Sequence, residues 1–104
     1  MPRLMVDRSL SGFEKKATHA AAMLKALSNE KRLMILCKLL EHGEMSVMAL
    51  TAEVGLSQSA LSQHLARMRE EKLVGFRREA QQIFYHVIDP RVRQILSTLK
   101  TVYC

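Results

Sequence analysis

Two sets of side chains in this 104-residue chain have types and spacings that chemistry can use. The first runs from Ser57 through Gln58, Ser59, Ser62 and Gln63 to Arg67. Hydroxyls and amides on one helix face are short enough to let the helix approach base edges, and the Gln63 amide has the donor and acceptor that match adenine in the major groove. The second set is Cys37 and Cys104, 67 positions apart and in neither a C-x-x-C nor a zinc-type spacing. That fits neither a secreted disulfide scaffold nor a structural zinc site, so both are expected to be thiols at rest. Each set also has an ordinary reading. The exposed face of almost any surface helix carries Ser, Gln and Arg, and a lone helical cysteine is commonly a small hydrophobe of the core. His64 borders the buried stripe of the same helix and is read as a packing or hydrogen-bonding residue with no functional role.

The elements that must position these groups can be followed along the chain. Residues 46–69 read as two short helices joined by a glycine turn, a helix-turn-helix signature. Ser46 is the first N-cap, Val47, Leu50 and Val54 repeat at helical spacing, and Gly55 falls where a left-handed C-cap wants glycine. Ser57 caps the second helix, whose inward stripe is Leu61, Leu65 and Met68, while Ser59, Ser62, Gln63, Ala66 and Arg67 face away. Upstream, Ser11-Gly-Phe-Glu14 has the pattern of a capping box and predicts a first helix with Phe13, Ala17, Ala20, Ala21, Leu24 and Leu27 along one side. Residues 1–10 lack periodicity and are expected to be a mobile arm, leaving 11–104 as one domain. Ser28-Asn29 caps a second helix in which Leu33, Leu36, Cys37 and Leu40 share a face until Gly43, so Cys37 is predicted to point inward.

Downstream, Leu73 to Ile88 changes to β-branched and aromatic residues and reads as a β-hairpin turning near Glu79-Ala80-Gln81. Arg77, Arg78, Gln81 and Gln82 then stand at or beside the tip, within reach of phosphate or the minor groove, or else in a solvated loop. Ala80 lacks the tolerance of positive φ that a tight hairpin prefers. Asp89-Pro90 is an N-cap followed by proline at the first helical position, and Val92, Ile95, Leu96, Leu99 and Val102 form the stripe of a last helix. So small a domain has no obvious cover for that stripe, which with the first helix would make a dimer interface.

Composition agrees with this outline. Hydrophobic content of 48% with 5% aromatic residues, no Trp and seven Met predicts a helical domain with few strands, which with the hairpin above gives a mainly helical fold with a small β-hairpin. Sixteen Lys and Arg against ten Asp and Glu leave a net charge of +6, and residues 64–78 hold five basic side chains against two acidic ones. Clustering beside a groove-reading element favours nucleic acid over membrane surface or simple solubility. There is no apolar run of signal or membrane-spanning length, so a cytoplasmic location is expected.

Several separated motifs in order, Leu27-Ser28-Asn29-Glu30-Lys31-Arg32-Leu33-Met34-Ile35-Leu36, Leu56-Ser-Gln-Ser-Ala-Leu-Ser-Gln-His-Leu65, and Leu73-Val74 with Arg77-Arg78-Glu79, resemble the ArsR/SmtB family of winged helix-turn-helix repressors. The resemblance covers about residues 12 to 104. It implies four helices, a β-wing and a fifth helix, a homodimer joined by its first and last helices, and double-stranded operator DNA as the partner. Metal-sensing members carry cysteines at the start of the third helix or Asp, His and Glu on the last. This chain has Ser46-Val47-Met48-Ala49-Leu50 in the first place and Asp89 without His or Glu in the second, so neither a metal nor another cofactor is expected. Cys37 with Cys104 is similar instead to the dithiol subgroup of BigR, SqrR, YgaV and HlyU, which is associated with persulfides and oxidants. The resemblance thus implies a redox role for Cys37 and Cys104, and DNA contact by Ser57, Gln58, Ser59, Ser62, Gln63 and Arg67 with Arg77, Arg78 and Gln81 of the wing. Ala80-Gln81 departs from the glycine and basic residue common there. Competing readings are a metal-responsive repressor, which lacks ligands, a small thiol oxidoreductase, which lacks a C-x-x-C pair, and a winged-helix protein-interaction module without salt-sensitive DNA affinity.

Overall fold

In a computed structural model describing residues 4–104, the apolar stripes converge on one core. Its fully buried members are Ile35, Leu36 and Leu39 of α2 (Glu30–His42), Leu50 and Val54 of α3 (Val47–Val54), Leu61, Leu65 and Met68 of α4 (Gln58–Glu70), and Leu73, Val74 and Val92. Two further helices complete the set, α1 (Ala17–Leu27) and α5 (Pro90–Tyr103). A three-stranded antiparallel sheet runs in the order β1 (Met45–Ser46), β3 (Gln82–Val87), β2 (Val74–Glu79). The sequence reading foresaw the β2–β3 hairpin but not β1. Two residues leave no alternation to read, and the strand exists only because Met45 and Ser46 pair with Tyr85 and Phe84.

The caps of the central helices form as their side chains dictate. Ser46 Oγ accepts the Ala49 amide at 3.1 Å, Ser57 Oγ accepts that of Ala60 at 3.2 Å, and Asn29 Oδ1 accepts that of Arg32 at 3.1 Å. Gly55 ends α3 with φ 67°, the left-handed geometry that turns the chain into α4. α4 itself ends in a Schellman arrangement in which the Leu73 amide donates to Met68 O and that of Lys72 to Arg69 O, with Lys72 at φ 63°.

Two expectations fail. The capping box at Ser11 does not form, because Gly12 takes the capping position with φ 85° and no side chain to offer. The Ser11 amide instead closes a turn on Arg8 O, and Phe13–Lys16 is a 3-10 turn ahead of α1. The short turn Arg8–Leu10 precedes it, within the segment expected to be an arm, of which residues 1–3 lie outside the described residues. Cys37, expected inward, is exposed. The buried side of α2 is Arg32, Ile35, Leu36 and Leu39, and at 100° per residue Cys37 lies past its edge, with Leu33 and Leu40 half-buried on the flanks.

Arg32 is the one buried charged residue among those described. Its Nη1 donates to Ala26 O at 2.9 Å and to Glu71 Oε2 at 3.0 Å, tying the α1–α2 junction to the end of α4. Unpaired, a charge at that depth would be strongly destabilising.

Candidate nucleic-acid interface and thiol pair

Because Leu61, Leu65 and Met68 fasten one side of α4 to the core, the opposite side is presented to solvent as a fixed row. Gln58, Ser59, Ser62, Gln63 and Arg67 are all exposed, and Ala66 is half-buried at the margin. The side chains of Gln58, Ser62, Gln63 and Arg67 have no hydrogen-bond partner among the described residues, so their donors and acceptors are available to a groove. Ser57 is already engaged as the cap and stands 3.3 Å from Ser59 Oγ. His64 is half-buried beside this row. Burial first, then the charges of Arg32 and Arg67, hold its pKa below the ordinary 6.5.

The wing is a tight hairpin in which Glu79 pairs with Gln82 across the two turn residues Ala80 and Gln81. Ala80 adopts φ 54° despite its Cβ. Gln81 is exposed at the tip. Arg78 is exposed and has no ion pair among the described residues. Arg77 differs sharply. Its guanidinium grips Glu44 through Nε to Oε2 at 3.0 Å and Nη2 to Oε1, bonds Glu79 through Nη1 at 2.8 Å, and lies 4.6 Å from the Phe84 ring centroid. The hydrogen bond from Arg77 holds the Glu44 carboxyl below its ordinary range, and the two carboxylates, Glu44 first, raise the Arg77 pKa in turn. On the other face of the wing, Arg69 of α4 sits 4.9 Å from the Phe76 ring centroid. Arg69 belongs to the basic cluster of residues 64–78 but carries no role predicted from the sequence. Its place in the last turn of α4, where the helix dipole favours a cation, was the available signal.

Cys37 and Cys104 are both free and exposed. Cys37 Sγ donates to Glu41 Oε1 at 3.6 Å. Desolvation raises the thiol's pKa most, the Glu41 carboxylate adds to it, and the charges of Lys38 and Lys100 oppose it. Lys100 therefore lies within electrostatic reach of Cys37, and the Cys104 amide donates to Lys100 O at 2.8 Å, one turn further along α5. Asp89 is spent as the cap of α5, accepting the Arg91 amide at 2.9 Å and its guanidinium. Among the described residues no three His, Cys, Asp or Glu side chains gather as a metal site, and no helix is long and apolar enough to cross a membrane.

Comparison with known proteins gives the same picture. The family described as bacterial regulatory protein, arsR family, matches residues 29–75, from the N-cap of α2 to the second residue of β2. The chain is 50% identical over 95 residues to the HTH-type transcriptional regulator YgaV of Escherichia coli, covering 91% of this chain and 96% of that protein. The transcriptional repressor BigR from Xylella fastidiosa superposes with a TM-score of 0.86 at 39% identity, over 95% of this chain and 98% of that one. Reduced HlyU from Vibrio cholerae superposes with a TM-score of 0.80 at 47% identity, over 88% and 96%. A winged helix-turn-helix with an exposed polar face on α4, shared along almost its whole length with such regulators, is a DNA-binding transcriptional regulator and not an enzyme, and the chain belongs to the arsR family.

Proposed function

We propose that the chain is a homodimeric repressor that binds a pseudo-palindromic operator and releases it when Cys37 and Cys104 are joined through sulfur. The observation that carries this reading is the exposure of both thiols, Cys37 on α2 and Cys104 at the end of α5, two helices that pack against each other. Neither thiol is committed to the core, and the charge of Lys100, one turn before Cys104, acts on Cys37. The resemblance to HlyU, one of whose solved structures is described as the reduced protein, supports a thiol-dependent state.

The chemistry balances with a persulfide as oxidant. Each cysteine thiolate takes a sulfane sulfur from a low-molecular-weight persulfide, releasing that carrier as a thiol, and two cysteine hydropersulfides then condense to a trisulfide with loss of hydrogen sulfide. A direct disulfide needs Cα atoms within about 7 Å, whereas a bridge with an added sulfur spans farther. The bridge switches the protein only if it favours the non-binding conformation, because equal stabilisation of both shifts nothing. On the DNA side, Ser59, Ser62, Gln63 and Arg67 face the major groove, with Gln58 and Ser57 at the start of the helix, while Arg78 and Gln81 of the wing reach the backbone.

The test is a titration of duplex selected from a random pool by the reduced protein, before and after persulfide treatment, with the product's mass recorded. The parent releases DNA and gains a bridge mass, while Cys37→Ser and Cys104→Ser bind and no longer respond. Release by either serine variant at the parent's persulfide dose would end the dithiol reading. In the same titration Gln63→Ala costs roughly 1 to 3 kcal/mol on the selected duplex and little on random duplex.

A further inference from the structure

We infer that Arg77 acts on DNA binding as a positioning residue, clamping the wing to the β1 end of the molecule through Glu44, and that it does not contact phosphate itself. This rests on the wing taking part in DNA binding.

The geometry of the guanidinium carries the argument. Its Nε and Nη2 edge meets both oxygens of Glu44, its Nη1 meets Glu79, and it lies against the Phe84 ring. Such a bidentate fork is the strongest and most directional way arginine engages a carboxylate. The local charge argues the same way. One positive guanidinium is faced by two carboxylates, so the cluster is net acidic and repels a phosphate. Arg78, next in the strand, alternates to the opposite face and has no ion pair among the described residues. With Arg69 of α4, stacked on Phe76, it forms a cationic side for the wing distinct from the acidic Arg77 side.

The clamp also has a mechanical role. Glu44 immediately precedes β1, which joins directly to α3, the first helix of the helix-turn-helix. Arg77 is on β2, the outer strand of the hairpin, while β1 pairs with β3 on the sheet's other side. The Glu44–Arg77 contact therefore spans β3 and couples the two edge strands, fixing the angle of the hairpin against the reading element. Without it, the tip would keep its charges but lose their placement.

The sign of one substitution separates positioning from contact. If Arg77 met phosphate, Glu44→Gln would release the arginine and remove a negative charge, so binding would tighten and its salt dependence would not fall. If Arg77 positions the wing, Glu44→Gln weakens binding although the protein has become more positive. Dissociation constants for the parent's selected duplex, measured across a salt series for the reduced dimer, provide the readout. Thermal melting serves as the check on folding. We expect Glu44→Gln and Arg77→Ala each to weaken binding about three- to fivefold, the scale of an exposed ion pair, with no change in salt slope. The double variant should be no worse than either single one. Arg77→Lys, which keeps the charge and loses the fork, should behave like Arg77→Ala, whereas a phosphate contact would survive it largely intact. Arg78→Ala should reduce the salt slope by about one, and an unchanged slope there would remove the wing reading itself, separately from the clamp. Tightening or no change on Glu44→Gln, or a slope lowered by Arg77→Ala, would overturn the proposal.

Discussion

Cys37 shows how position alone misassigns a side chain and how its neighbours then define its chemistry. Counting at helical spacing puts it near Leu33, Leu36 and Leu40, yet it is exposed, with Glu41 one turn on holding its proton. The thiolate is the nucleophile, so a thiol whose pKa is raised by partial burial and by Glu41 is a slow one near neutrality. Glu41→Gln removes the repulsion, leaves only a neutral acceptor and adds an amide donor for the thiolate, and should lower that pKa. In a Cys104→Ser background, the rate of alkylation of Cys37 at pH 7 to 8 should rise, with the pH profile moving toward lower pH. A rate that stays level or falls would show that desolvation alone governs the thiol. Gln63 and Arg67 behaved differently, since the stripe of Leu61, Leu65 and Met68 determines their direction and was readable from the sequence.

At the scale of elements, the helix-turn-helix and the hairpin carry residues in left-handed geometry that favours glycine. Gly55 meets that need, whereas Lys72 after α4 and Ala80 in the wing turn do not. Only glycine visits this region without a Cβ penalty. Lys72→Gly should therefore raise stability by about 1 kcal/mol, read as a higher urea midpoint at unchanged slope. A lowered midpoint would mean that flexibility gained in the unfolded chain outweighs the relief of strain. The position closes the Schellman turn between reading helix and wing, and its strain was invisible in the sequence, where Lys72 is one of several surface lysines.

For the whole molecule the notable property is elongation. The Cα radius of gyration is 16.5 Å and the extents are 62 × 28 × 21 Å, against about 13 Å for the radius of a compact chain of this length. Helix α1 commits only Met23 and Leu27 to the core, leaving Phe13 51%, Leu24 61%, Val102 66% and Tyr103 81% exposed around α1 and α5. Large exposed apolar side chains on two helices are the kind that self-association covers. Sedimentation should find a dimer at micromolar concentration, and Leu24→Asp should shift it toward monomer and weaken binding to the selected duplex more than to a half-site. A parent protein that sediments as a monomer on DNA would exclude the dimer.

The sequence by itself determined most of the core, the caps at Asn29, Ser46, Ser57 and Asp89, the exposed polar face of α4 and the hairpin turn near Ala80-Gln81. These follow from local rules, in which periodicity selects the buried side and a side-chain oxygen satisfies orphan amides within three residues. Only the tertiary structure decided the rest. Strand β1 is too short to carry a pattern, and Arg77 and Arg78 look alike until Glu44, 33 positions upstream, claims one of them. The exposure of Cys37 and the influence of the Lys100 charge on it depend on how α2 and α5 pack. Contacts between residues far apart in sequence have no local periodicity to announce them, so an arginine that holds the wing and an arginine free to meet DNA remained indistinguishable until the chain was folded.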